Sequence, residues 1–271
     1  MNRGLIWRAF REMWGTTAVI GLLLMFVEAL LAFVLPKFAG QFSQQWLEMD
    51  FARDILRAML GTEVRDRIGP EMFQSVAWVH PAPLALVWAH ALILCTRVPA
   101  GEVDRGTIDV LLGLPVSRRD VFLSETAVWL GMGMTIFIAA HIGNLLGSLS
   151  LPAEQRPELV RTLIVLLNLF CLYITVGGFA WLISSISDRR GRAMTLVFLV
   201  LLGLFLLNYL AQFWRPLDKI SFLSPLNYHR PVYVLGTGLV PWRDMVILTG
   251  FGFLTWVAAG VIFARRDLCT V

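Results

Sequence analysis

The polar residues best placed to engage a partner form one run between two apolar stretches, from Glu102 to Asp120. It reads Glu102-Val103-Asp104-Arg105-Gly106-Thr107-Ile108-Asp109, then Leu111-Leu112, then Pro115-Val116-Ser117-Arg118-Arg119-Asp120. Thr107 is a candidate cap for a short helix with Ile108, Leu111 and Leu112 on its apolar side. Gly113 and Pro115 stop that helix, and Ser117 with Asp120 makes a capping-box pattern that starts the next one. Such a product, a surface helix joined rigidly to a membrane helix, is a lever between a partner and the membrane.

A second set of candidates lies inside apolar stretches. A charge at the position of Glu28 costs about 2.5–3.5 kcal/mol on insertion scales, so it must face protein, water or a partner. Glu28 is either a substrate- or proton-sensitive group on a translocation path or a structural acid at a dimer interface. His141 and Asn144 stand one turn apart, and Asn168 and Asn208 lie in later stretches. Interhelical hydrogen bonding is their expected role, with substrate contact as the alternative.

Several chemistries are excluded by what the chain lacks. Its only lysines are Lys37 and Lys219, and neither follows a glycine, so no GxxxxGK[ST] phosphate loop exists. No HExxH and no GxSxG occurs, and His80, His90, His141 and His229 lack zinc-ligand spacing. Cys95, Cys171 and Cys269 are far apart and suggest neither a disulfide framework nor a metal site. The chain is therefore expected to be no enzyme in its own right, with no catalytic, cofactor-binding or metal-binding residues.

The elements that must position these residues are membrane helices. The chain is 57% hydrophobic and 15% charged, with mean hydropathy +0.70. A soluble domain carries about 25% charge. Here uncharged runs of some 18 residues recur, each long enough for a ~30 Å hydrocarbon core, and without barrel alternation they read as helices. The expected fold is all-α, a single transmembrane domain over 1–271 with about six spans. They are placed near 15–35, 73–95, 125–149, 159–183, 193–213 and 244–263, the first ending at Pro36. Pro81 and Pro83 are expected to kink the second span near its start or to leave its entry unwound. Residues 1–14 interleave apolar Leu5, Trp7, Phe10 and Trp14 with Arg3, Arg8 and Arg11, the pattern either of an interfacial amphipathic helix or of a flank that orients the first span. Trp46, Leu47, Phe51, Ile55, Leu56, Met59 and Leu60 form a second amphipathic stretch. Gly143-Gly147 and Gly177-Gly178 are expected to seat neighbouring helices closely. The first apolar run is too long for a signal peptide and is read as a retained span.

Net charge is +4 and the pI about 9.3. The basic residues lie between spans, so topology and lipid headgroups explain them, and no basic-aromatic stripe suggests nucleic acid. Arginines cluster at the N-terminus, in 97–124, in 184–192 and at the C-terminus. By the positive-inside rule these segments and both termini are cytoplasmic, in a cell (inner or plasma) membrane.

The run from Glu102 to Arg118 resembles the cytoplasmic loop of type-2 ABC exporter permeases (ABC-2 type). The residues that carry the resemblance are Glu102, Gly106-Thr107, Leu111-Leu112 and Pro115-Val116-Ser117-Arg118. The N-terminal amphipathic segment, Ser224-Pro225-Leu226-Asn227-Tyr228 and the ending Phe263-Ala264-Arg265-Arg266-Asp267-Leu268 are similar to family features too. Two departures stand out. Ile108-Asp109 replaces a frequent Leu-Glu, and Glu125 stands where the family often has a basic residue. The resemblance implies a permease that pairs with a second copy, alike or different, and rests on a separate cytoplasmic ATPase. ATP and Mg would be bound by that ATPase alone. Its closure would push on a coupling helix containing Glu102, Arg105, Gly106, Thr107, Asp109, Leu111, Leu112, Pro115, Ser117 and Arg118. A membrane scaffold regulating a cytoplasmic partner, and an intramembrane enzyme, are the competing readings. The substrate is not legible.

Overall fold

The computed structural model describes residues 2–41 and 70–266. The amphipathic stretch from Trp46 to Leu60, together with Asp267, Leu268 and Cys269, lies outside them. The described residues are helical without a strand, and six helices are long and apolar enough to cross a membrane.

Helix α1 runs from Arg3 to Gln41. Its 39 residues span roughly 58 Å at 1.5 Å each, well beyond a ~30 Å core. The basic segment 3–14 therefore continues into the first span as one rod, and Pro36 is carried within the helix instead of ending it. The second span is two helices, α2 (Pro70–Val79) and α3 (Pro81–Cys95). His80 between them is extended, because the residue before a proline is pushed out of the α region. Its Nδ1 accepts a hydrogen bond from the Ala82 amide at 3.2 Å, capping α3. A π-helical turn over Arg97–Gly101 holds an extended Val98 before a cis Pro99. The short helices α4 (Glu102–Asp104) and α5 (Ile108–Leu112) follow, joined through Gly106 at φ 68°. The remaining spans are α6 (Arg118–Ser148), α7 (Leu159–Ile186), α8 (Arg190–Leu210) and, after α9 (Arg215–Asp218) and α10 (Pro231–Thr237), α11 (Trp242–Arg265).

Small residues decide which helices meet. A Cβ on Gly143 would run into the Met25 carbonyl of α1, and one on Gly147 into that of Ala29, so α1 lies flat along α6. A Cβ on Gly178 would strike the Gly252 carbonyl, which fixes α7 against α11, and Gly177 receives the ring of Trp129. These contacts place α6 and α7 at the centre, with 61% and 67% of their most apolar windows buried. In α1, α8 and α11 the share is 22%, 17% and 22%, and their outward Leu, Val and Phe side chains suit a hydrocarbon solvent. Lipid offers such residues what a core would, so exposure here is no defect.

Buried polar side chains tie the centre. Tyr173 of α7 donates to the Trp129 carbonyl of α6 at 3.3 Å. Its hydroxyl also lies 3.0 Å from Nδ1 of His90 on α3, whose Nε2 is 3.1 Å from the Thr17 hydroxyl of α1. At the end of the bundle opposite the 97–117 loop, Asn168 of α7 holds the connection before α11. It donates to the Tyr228 carbonyl at 3.2 Å and accepts from the Arg230 amide at 3.0 Å. Beside it, His229 lies between two acceptors, Nδ1 3.0 Å from Asn168 Oδ1 and Nε2 3.2 Å from the Trp78 carbonyl, and its single N–H as a neutral ring donates to one of them. Burial lowers His229 to about 4 against the raising effect of the Trp78 carbonyl, so it is neutral at pH 7.

Candidate functional site: a buried charge cluster under the 97–117 loop

The loop between α3 and α6 begins by turning an arginine inward. Arg97 is only 1% exposed. Such a charge is tolerated inside a protein only when paired and hydrogen-bonded. Its Nη1 contacts Glu12 of α1, and its Nη2 contacts Glu125 of α6. Glu102 at the start of α4 lies 4.0 Å away and is equally buried. Burial alone would lower the Arg97 guanidinium. The carboxylates of Glu125, Glu12 and Glu102 outweigh it and raise Arg97 above its ordinary value.

Glu102 is in turn enclosed by donors. Arg8 of α1 reaches its Oε1 at 2.7 Å and Arg105 at 3.2 Å, while the Thr107 hydroxyl donates to Oε2 at 2.5 Å. The Thr107 amide closes the turn on the Glu102 carbonyl at 2.9 Å. Arg8 also bonds Glu12 at 3.2 Å, and Arg105 donates to the Gly101 carbonyl at 3.1 Å. Three arginines thus face three glutamates, a neutral set sharing hydrogen bonds among α1, the 97–107 loop and the base of α6.

The loop is anchored on its other side as well. The Ala100 amide donates to the Ser184 hydroxyl at 3.3 Å at the end of α7. The Arg190 amide at the start of α8 donates to Asp104 at 3.2 Å, and its guanidinium donates to the Ile93 carbonyl at 2.8 Å. Inward, Ile108 and Leu111 of α5 are buried. Outward, Asp109 is exposed, Val110 is 72% exposed and Leu114 48% exposed. The 97–107 loop beneath that outward face is thus hydrogen-bonded to α1, α6, α7 and α8.

Of the ten loop residues picked from the sequence, the structure gathers Glu102, Arg105, Gly106 and Thr107 around the charge cluster. Leu111 and, half-buried, Leu112 form the floor of α5, while Asp109 and Pro115 are exposed. Thr107 stands at the start of α5 but gives it no side-chain cap; its hydroxyl donates to the Glu102 carboxylate. Ser117 does cap α6, accepting from the Asp120 amide at 3.0 Å and donating to its carboxylate at 2.7 Å. Arg118 turns to the end of α11, where it donates to the carbonyls of Phe263 (3.2 Å) and Arg266 (2.5 Å).

Glu28, His141 and Asn144 belong to a separate place, the contact of α1 with α6. Glu28 is 0% exposed within a single chain, and Asn144 faces it. Neither Glu28 oxygen, nor Asn144 Oδ1, nor His141 Nδ1 has a hydrogen-bond partner among the described residues. Two members of the charge cluster were not among the residues picked from the sequence. Arg97 counted only among the basic residues of 97–124 and Glu12 was not singled out, although the acid at Glu125 in place of an expected base pointed to a base opposite it. Among the described residues no group of three or more His, Cys, Asp or Glu side chains is placed to hold a metal ion.

The sequence of this membrane bundle matches a known family over almost its whole length. The family model described as "ABC-2 family transporter protein" covers residues 11–268. The chain belongs to the ABC-2 transporter family. It is also similar to the uncharacterized membrane protein YdbK of Bacillus subtilis (strain 168), 25% identical over 197 residues, 69% of this chain and 80% of that one. No solved structure matches the chain. As an ABC-2 protein it is a multi-pass membrane component of a transporter. Family members associate in general with an ATPase and normally lack an ATPase site, in keeping with the missing phosphate loop.

Proposed function

We propose that this chain is the permease subunit of an ATP-binding-cassette exporter. It would move its substrate with energy from ATP hydrolysed on a separate ATPase subunit. Both termini and the 97–117 loop face the cytoplasm in this reading, the ATPase docks on the outward side of α5, and two permease copies pair. ATP and Mg belong to the partner, and this chain binds no cofactor of its own.

The observation that carries the reading is the wiring of Glu102. A mere connector between α3 and α6 needs caps, and Ser117 supplies one. It does not need a fully buried glutamate bonded to Arg8, Arg105 and Thr107 beneath an exposed Val110 and Leu114. A push on α5 would move Glu102, and with it α1 and α6, as one body. Removing a buried partner of this kind costs about 3–5 kcal/mol, enough to set which of two bundle arrangements is favoured.

The test is to recover the ATPase that co-purifies with the tagged chain and to reconstitute both in liposomes. Hydrolysis is expected to be stimulated by the wild-type chain and uncoupled from transport in Glu102→Gln. Stimulated hydrolysis with no movement of any lipid, peptide or drug tested would favour the scaffold reading.

A further inference from the structure

A groove of about 320 Å³ opens between the starts and ends of two spans, at the same end of the bundle as the 97–117 loop. Its walls are apolar: Phe122 and Leu123 from α6, and Trp256, Val257, Gly260 and Val261 from α11. Its mouth is basic, with Arg118, Arg119 and Arg265. From these features we propose that it binds one anionic phospholipid of the surrounding leaflet, the phosphate on the arginines and an acyl chain along the apolar walls.

Three observations support that occupant. First, the groove is as deep as a lipid requires. From Arg265 to Trp256 it follows nine residue steps of α11, about 13.5 Å at 1.5 Å per residue, into the apolar body of a helix long enough to cross a membrane. A water-soluble partner can touch the mouth but not that depth. Second, the walls make no polar demand. The Trp256 indole N–H is spent on the Thr126 hydroxyl at 3.0 Å, and Leu123, Val257 and Val261 are 40%, 39% and 46% exposed. Third, the charge at the mouth is held and unbalanced. Arg118 is fixed there by the Phe263 and Arg266 carbonyls. Among the described residues neither Arg119 nor Arg265 makes an ion pair, and Arg266 is occupied by Asp188 and the Ser185 and Ser187 carbonyls. The acids nearby in sequence are Asp120, bound to Ser117, and Asp267, outside the described residues. A guanidinium fork suits a phosphate diester, and basic pockets between membrane helices are where anionic headgroups settle. The site stands whether or not the chain transports.

The experiment is native mass spectrometry of the full chain in mild detergent. It is titrated with phosphatidylglycerol or with phosphatidylcholine of the same acyl chains. Wild type is expected to hold one phosphatidylglycerol at least 10-fold more tightly, on the order of two arginine contacts. Arg119→Gln with Arg265→Gln should weaken that lipid by about 30-fold at roughly 5-fold per arginine and leave phosphatidylcholine unchanged. The double Lys variant should keep most of the binding. Arg189→Gln with Arg192→Gln, at the same end but outside the groove, should change it less than about 3-fold. Equal retention of both lipids, an equal loss in that control pair, or full competition by inorganic phosphate would each overturn the proposal. So would loss of a bound ATPase with lipid retention unchanged, which would make the patch a partner contact.

Discussion

Arg97→Gln removes the guanidinium that Glu125 and Glu12 share. Glu125 is 7% exposed and bonds Arg97 alone within the cluster, so its charge is left without compensation. Breaking a buried pair from one side costs about 3–5 kcal/mol. Glu125→Gln is milder, because Arg97 keeps Glu12 and stays near Glu102, and about 1–3 kcal/mol is expected. Replacing both, Arg97→Gln with Glu125→Gln, removes the two charges together and should recover most of the loss, since neither is then left buried without its partner. The coupling energy of the cycle is then about 2 kcal/mol or more in size, outside the additivity expected of independent sites. Urea or thermal unfolding of the detergent-solubilised chain, followed by tryptophan fluorescence, reads all three variants. If the two single losses are each under about 1 kcal/mol and simply add, the cluster does not hold the loop to the bundle and the reasoning fails.

Gly143→Leu should sharply lower the folded yield by size-exclusion chromatography, since its side chain must displace the α1 backbone at Met25, whereas Gly131→Ala, with open space around it, should be neutral or gain up to about 1 kcal/mol. Glu28→Gln should fold like wild type, because a neutral amide of the same shape fits the fully buried site beside Asn144; Glu28→Lys should not, by about 2.5–3.5 kcal/mol, and equal yields of the two would refute this. His229 is lowered to about 4 against about 6.5 in the unfolded chain, so its contribution is complete above pH 6.5 and is lost as pH falls toward 4. That loss is about 3 kcal/mol, seen as a falling melting temperature that flattens in His229→Gln; a His229→Gln curve parallel to wild type would assign the acid sensitivity elsewhere.

Much of the bundle was legible because lipid leaves the sequence few options. Runs such as 159–183 have to be helices, and a proline pair has to interrupt one, which it does at His80. Gly143, Gly147, Gly177 and Gly178 announced their close neighbours for the same reason: only packing rewards a missing side chain there. Local caps were half legible. Ser117 meets Asp120 because the two are three residues apart, but Thr107 makes no cap and its hydroxyl turns to the Glu102 carboxylate, five residues back. The charge cluster was hidden. Arg97 meets Glu12 across 85 residues and Glu125 across 28, and no periodicity within one helix encodes such a meeting. Its trace was an imbalance: Glu125 begins a span where a base was the expectation, so a base had to be found elsewhere.

The most direct measurement of whether this ABC-2 chain is a driven permease is coupled turnover in liposomes. The chain is reconstituted with the ATPase that co-purifies with it, and ATP hydrolysis and substrate movement are read from the same preparation. Hydrolysis stimulated by the chain, transport dependent on it, and transport lost in Glu102→Gln while the ATPase stays bound are the predicted results. Transport that persists at the wild-type ratio to hydrolysis in Glu102→Gln would contradict the claim that the 97–117 loop carries the drive.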